Sequence, residues 1–158
     1  APLGIQLGLD PAISCLRVAR ERGIWPILGV GEFLPFREGS LDLVAFVISL
    51  CFLKDPEGAL AEAYRSLRPG GTILVGIIDR ESPLGRRYVL RKERGDLFYR
   101  HARFFTPEEV AGLLKKQGFV GVEFRQTLSG SSLDLEAVEE AEEGHGRGSF
   151  VVIRARKP

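Results

Sequence analysis

Apolar residues alternate with small or short ones along residues 3–9, so that Leu3, Ile5, Leu7 and Leu9 share one face of an extended segment that Asp10 and Pro11 close. This pattern predicts a strand feeding a helix. From Ile13 through Leu16 to Ala19 the apolar positions recur at helical spacing, and Gly23 is placed to take the left-handed position that ends a helix. A short apolar run, WPILGV, follows, and then a loop, GEFLPFREGS, rich in Gly, Pro and Ser. The next segment, LDLVAFVISL, is almost entirely apolar, as expected of a strand buried on both faces.

Asp55 and Pro56 are suited to the cap and first turn of a helix whose apolar face runs through Ala59, Leu60, Ala63, Tyr64 and Leu67, with Pro69, Gly70 and Gly71 as its stop. TILVGII reads as another central strand. Thr106, Pro107 and Glu109 spell a capping box with proline at the first helical position, Phe105 can staple to Val110, and Gly118 ends that helix. Two β-rich segments, FVGVEFRQTL and SFVVIRARK, close the chain without a helix between them. Strands alternating with helices predict an α/β fold, a Rossmann-like, doubly wound and mostly parallel sheet. The two final strands, joined by a loop, predict an antiparallel hairpin at one edge of it. Residues 80–104 interrupt the alternation as a partly helical insertion.

Composition narrows this picture. With 158 residues, 44% of them hydrophobic and 27% charged, the chain suits one domain with a single core. A net charge of +1 gives no global bias toward nucleic acid. The longest apolar run, residues 41–53, contains Asp42 and Ser49 and is followed by Lys54, so no segment reads as a membrane span. No secretory signal is visible, which makes cytoplasmic the default expectation. Cys15 and Cys51 lie on apolar patterns without zinc spacing, so a disulfide framework or a metal site is not expected. The absence of Asn and Met and the excess of Arg over Lys follow a thermophile tendency.

In a doubly wound sheet the ligand lies beyond the carboxyl ends of the strands, which directs attention to the residues after each strand. Asp10 is an acid at such a tip, where a carboxylate can accept the hydroxyls of a ribose; the same position also serves as a helix cap, and spacing alone supports both readings. Three blocks in order, GLDPA, GEFLPFREGSLDLV and DPEGALAEAYRSLRPGGTILVG, closely resemble the small-molecule class I S-adenosylmethionine-dependent methyltransferases of the UbiE and type 11 kind. The resemblance runs from about Leu7 to Gly76, with compatible organisation to the C-terminus.

That resemblance implies S-adenosylmethionine as cofactor and assigns residues to it. Asp10 matches the acid that holds the cofactor ribose. Pro11 and Ala12 match residues passing beside the adenosine, and Gly31, Glu32 and Phe33 match the turn that frames the adenine. Ile48 and Ser49 match positions bordering the methionine part and the reactive methyl. Val30 stands where many relatives carry an aspartate for the adenine amino group, and Cys51 and Phe52 stand where histidines are frequent. The first strand and glycine-rich turn of the family do not occur in the sequence, and a sheet without that strand would expose two apolar edges. The expectation is therefore an N-terminally incomplete domain, with several tens of residues upstream.

Methyl transfer requires alignment of the acceptor with an activated methyl and exclusion of water, and needs a base only when the acceptor must first lose a proton. His101, Tyr99 and His145 are the candidates, the two histidines equally readable as surface or packing residues. Residues 80–103 hold eight Lys or Arg against three acids, with Tyr88, Phe98 and Tyr99 interleaved. This composition suits a lid over an anionic or aromatic small-molecule substrate. It equally suits a solvated helix paired with the acidic run at residues 134–143. Two further readings are a non-catalytic domain that keeps the fold as a binding or partner subunit, and an NAD-dependent oxidoreductase. The Leu34-Pro35-Phe36 block and the closing hairpin favour methyl transfer over the latter.

Overall fold

The computed structural model describes residues 4–129 and 139–158. Seven strands and four helices follow in the order β1 (Leu7–Asp10), α1 (Ile13–Glu21), β2 (Trp25–Leu28), β3 (Leu41–Val47), α2 (Pro56–Ser66), β4 (Leu67–Ile78), α3 (Pro83–Glu93), α4 (Pro107–Lys116), β5 (Val120–Thr127), β6 (Glu142–Glu143) and β7 (Phe150–Arg156). The architecture is the expected α/β, Rossmann-like winding. Its strands fall into two hydrogen-bonded groups: β1 pairs with β2 in parallel, and the other five run β3-β4-β7-β5-β6. β3 and β4 are parallel, whereas β7 is antiparallel to both β4 and β5, giving the predicted closing hairpin.

The predicted helix signals operate as chemistry requires: Asp55 accepts the Gly58 N–H ahead of Pro56. Inside the insertion a further cap, which the sequence reading did not single out, has Ser82 accepting the Gly85 N–H ahead of Pro83. Thr106 and Glu109 form a reciprocal capping box, satisfying two N-terminal donors of α4. Gly23 and Gly118 both adopt positive φ at helix ends. The core lies between β4, β7 and helices α2 and α4, where Leu60, Ile73, Val75, Val110, Leu114 and Ile153 are fully buried.

Three expectations change. First, β1 starts at Leu7 and not at residue 3; Gly4 has φ 69°, incompatible with a strand, and residues 1–3 lie outside the described part. Second, β3 is not buried on both faces: Phe46 is buried, but Leu43 and Val47 are exposed. Among the described residues β3 has a partner on one edge only, and the same holds for β1. Third, the Pro69-Gly70-Gly71 stretch does not mark the end of α2. The helix stops at Ser66, and β4 begins at Leu67 because Leu67 pairs with Leu41. The register then jumps, Leu43 facing Thr72, so the Pro-Gly-Gly stretch is an irregularity inside the strand, with Gly70 at φ 75°.

No helix among the described residues is long and apolar enough to cross a membrane.

Candidate functional site

Asp10 ends β1, and its neighbour across the register, Leu28, ends β2. One Asp10 carboxylate oxygen accepts the Ala12 N–H at 2.7 Å, just ahead of α1, while Ala12 itself occupies the cap position and has no capping side chain. Asp10 thus organises the strand-to-helix turn, and its half-buried carboxylate retains acceptor capacity. Pro11, the next residue, is exposed.

The turn after β2 is fastened to the main body. Gly31 is buried where a Cβ would stand 3.3 Å from the Leu53 side chain, close to the Phe46 ring. Glu32 accepts backbone N–H groups of Lys54 and Asp55, at 2.9 and 3.3 Å, and so ties this turn to the start of α2. That role was not legible in the sequence, since its partners lie more than twenty residues away. The Phe33 ring remains 78% exposed. A second brace comes from Glu62 and Arg65 of α2: Glu62 accepts the Leu34 N–H, and Arg65 donates to the Leu34 and Phe36 carbonyls. The Arg65 guanidinium hydrogen-bonded to Glu62 holds that carboxyl below its usual range.

Ile48 and Ser49 leave the carboxyl end of β3. Ile48 adopts φ 52°, the left-handed region that a β-branched side chain rarely occupies, and its N–H donates to the Gly76 carbonyl of β4 at 2.8 Å. The strained residue sits where the chain turns from β3 into a single 3-10 turn, Leu50–Phe52, which Ser49 precedes.

Beside it opens a cavity of about 300 Å³. Its floor comes from Ile48, Leu50 and Cys51 after β3 and from Gly76, Ile77 and Ile78 at the end of β4. Its far wall is the insertion: Tyr88 from α3, then Phe98, Tyr99, Phe104 and Phe105 from the returning chain. Phe52 joins this wall, edge-on to Phe98 at 5.1 Å, and Tyr88 stacks on Tyr99 at 4.8 Å between ring centres. Burial pushes the Cys51 thiol up to about 11, so it is neutral near pH 7. Burial, and then the adjacent Tyr88, likewise raise Tyr99 above the ordinary phenol value.

The insertion is closed at its base. Arg80 donates its N–H to the Phe105 carbonyl at 3.0 Å and its guanidinium to the Phe104 carbonyl and Glu109. Arg103 donates its N–H to the Cys51 carbonyl, fixing the insertion to the turn after β3. Gly85 is compulsory here, because a Cβ would fall 1.9 Å from the Asp79 carbonyl oxygen. The suggested pairing of this basic segment with the acidic run does not occur among the described residues: Glu142 pairs with Arg147, Glu143 with Arg125, and Glu139 bonds Thr127, Leu128 and Ser129. Residues 134–138 lie outside the described part.

The structure brings Tyr99 into the cavity wall but gives the histidines other surroundings. His101 is exposed. His145 packs at a tilt against Phe124 of β5, with Nδ1 3.3 Å from a Glu108 carboxylate oxygen at the start of α4. A larger hollow of about 450 Å³ between Gly4–Leu7 and Trp25 lies at the amino end of β1 and β2, away from Asp10. No group of His, Cys, Asp and Glu among the described residues is arranged to hold a metal ion.

Residues 4–75 match a protein family described as Methyltransferase domain. A Thermotoga maritima crystal structure, titled a SAM-dependent methyltransferase and possible histamine N-methyltransferase, aligns with a TM-score of 0.94 at 44% identity, over 99% of this chain and 75% of that one. The chain belongs to the class I S-adenosylmethionine-dependent methyltransferases. An uncharacterized protein of Methanocaldococcus jannaschii is 37% identical over 99% of this chain and 75% of its own length. A ubiquinone biosynthesis O-methyltransferase of Cupriavidus pinatubonensis is 31% identical over 75% of this chain, which spans about half (52%) of that relative. The oxidoreductase and non-catalytic readings are not favoured by these relationships.

The cofactor of this methyltransferase family is S-adenosylmethionine, and the residues that the resemblance assigns to its adenosine have chemistry that fits it. Asp10 offers carboxylate acceptor capacity at the strand tip, and the exposed Phe33 ring stands on a braced turn at the same end of β2. The Gly29 N–H, which donates to the Asp10 carbonyl, links these two features.

Proposed function

We propose that this methyltransferase transfers the methyl group of S-adenosylmethionine to a small-molecule acceptor seated between the 3-10 turn after β3 and the insertion. The cavity at the carboxyl ends of β3 and β4 is the observation that supports this reading. It adjoins Ile48 and Ser49, the positions that the family resemblance assigns to the methyl end of the cofactor, and it is too small for a folded macromolecule.

Asp10 holds the ribose, Gly31–Phe33 frame the adenine, and Ile48 and Ser49 border the sulfonium. When bound, the cofactor supplies a methyl already activated by positive sulfur. The chain then contributes position and dryness. Residues around the cavity would hold an acceptor lone pair in line with that methyl, so that the methylated acceptor, the demethylated thioether and the acceptor's O–H or N–H proton, released to solvent on opening, would be the products. The apolar floor of Leu50, Ile77 and Ile78 and the aromatic wall exclude water from this line of attack. Tyr99 is a protonated phenol near pH 7 and is suited to donating a hydrogen bond to an acceptor atom.

Incubation of the full-length protein with methyl-labelled S-adenosylmethionine and a cell extract, followed by separation by mass, tests the reading. Label is expected in products below about the size of a large metabolite. Label only in protein or nucleic acid would contradict it.

A further inference from the structure

The chemistry of the cavity wall selects among small molecules. Five aromatic rings, Phe52, Tyr88, Phe98, Tyr99 and Phe104, form one contiguous cluster with centre-to-centre distances of 4.8 to 6.5 Å. Tyr88, Tyr99 and Phe104 lie within 21° to 47° of parallel, whereas Phe98 stands edge-on to both Phe52 and Tyr99. A cavity lined by such rings suits another flat π-system packed against them. At about 300 Å³ the cavity is at the lower limit of ligand pockets, room for one ring or two fused ones.

An aromatic cluster can also attract a cation, so charge decides between the two occupants. No carboxylate lines this cavity. Asp96, the acid beside it, bonds Arg91 and the backbone N–H groups of Phe98 and Tyr99, and these contacts hold its carboxyl below the usual range. The Arg91 guanidinium itself stands 5.0 Å over the Tyr99 ring, so that this ring already carries a cation on one face. Lys92 is held to the Ala102 carbonyl at 2.7 Å, and Arg103 lies 4.9 Å over Phe105. The lining thus holds no anionic group to balance a cationic ligand, and the charge of Asp96 is already matched by Arg91.

We infer that the acceptor is a neutral or anionic planar aromatic compound of one or two rings, and not a cationic amine. This rests on the methyl-transfer reading above. Histamine, named as a possible substrate of the Thermotoga maritima protein, is a cationic amine of the kind this inference excludes. Tyr88 and Tyr99 bring the two phenol groups of the lining, which can hydrogen-bond an oxygen of such a ring.

Calorimetric titration of the full-length protein with 2-naphthol and, separately, with histamine, each with and without S-adenosylhomocysteine, tests the inference. 2-Naphthol is expected to bind at least ten-fold more tightly than histamine at neutral pH. Tyr88→Leu and Phe52→Leu should each weaken 2-naphthol several-fold while leaving S-adenosylhomocysteine affinity unchanged, which also reports on folding. Arg91→Gln, at an exposed position, should narrow the discrimination by about three-fold or more by opening the Tyr99 face and releasing Asp96. Histamine binding as tightly as 2-naphthol, or 2-naphthol binding unaffected by both leucine variants, would overturn the inference. Failure of S-adenosylhomocysteine to bind strikes instead at the methyl-transfer reading, because the naphthol arm without it is read independently.

Discussion

The β1–α1–β2 unit and the stretch from β3 to β7 obey the same strand–helix grammar, yet they are packed very differently. In the second, β4 has partners on both edges and helices against it, and Ile73, Val75 and Ile153 are fully buried. In the first, no residue of either strand is buried, Leu16 is the only buried residue of α1, and Trp25 remains 71% exposed. The difference teaches that hydrophobic alternation specifies an element but not its burial, which comes from neighbouring strands. It also divides the proposed site: the residues assigned to the adenosine by resemblance stand on the thinly packed unit and its turn, and the cavity proposed for the acceptor is cut into the well-packed one.

Substitutions can break that contrast. Leu60→Ala should cost about 2–5 kcal/mol in denaturant unfolding, since the residue is fully buried in the core. Ile13→Ala on α1 should cost less than about 0.5 kcal/mol, because Ile13 is exposed. Equal losses would remove the distinction between the two regions. Gly85→Ala should destabilise by about 1–3 kcal/mol, because the added carbon meets backbone that cannot swing aside, and it should also impair the cavity wall.

On the thin side, Asp10→Ala should weaken S-adenosylhomocysteine binding by about 1–3 kcal/mol through loss of a charged hydrogen bond. Unchanged calorimetric affinity would reduce Asp10 to its contact with Ala12. A smaller effect than that of Asp10→Ala concerns Cys51. Its folded-state value is raised to about 11, above that of an unfolded thiol, so its contribution to stability is fully present below about pH 9 and lost as pH rises through 11. Unfolding measured from pH 8 to 11 should show a decline of order 1 kcal/mol from this group, flattened in Cys51→Ala after allowance for that variant's lower starting stability. A decline of the same size in Cys51→Ala would assign it to other groups.

Much of the fold was legible because its signals are local. The Thr106–Glu109 capping box, the Asp55-Pro56 start and the closing hairpin depend on residues close in sequence, and each operates as read. The start of β4 was not legible, since Leu67 is drawn into the strand by Leu41, across a distance that periodicity does not see. The exposure of β3 escaped for a related reason: an apolar strand reads as buried whether or not a neighbour is present. Of the cavity, Tyr88, Phe98 and Tyr99 stood out as interleaved aromatics. Phe52 and Cys51 were noticed only as unusual residues after a strand, and their meeting with the insertion depends on the Arg103 bond to the Cys51 carbonyl. Glu32 was assigned to the adenine turn by resemblance; its carboxylate contacts to Lys54 and Asp55 are tertiary.

The central claim, that the thin unit and its turn form the adenosine side of a methyl-transfer site, is tested most directly by calorimetric titration of the full-length protein with S-adenosylhomocysteine and with NAD. Saturable one-to-one binding of S-adenosylhomocysteine, without measurable binding of NAD, is the predicted result. Binding of NAD alone, or of neither ligand, would contradict the account.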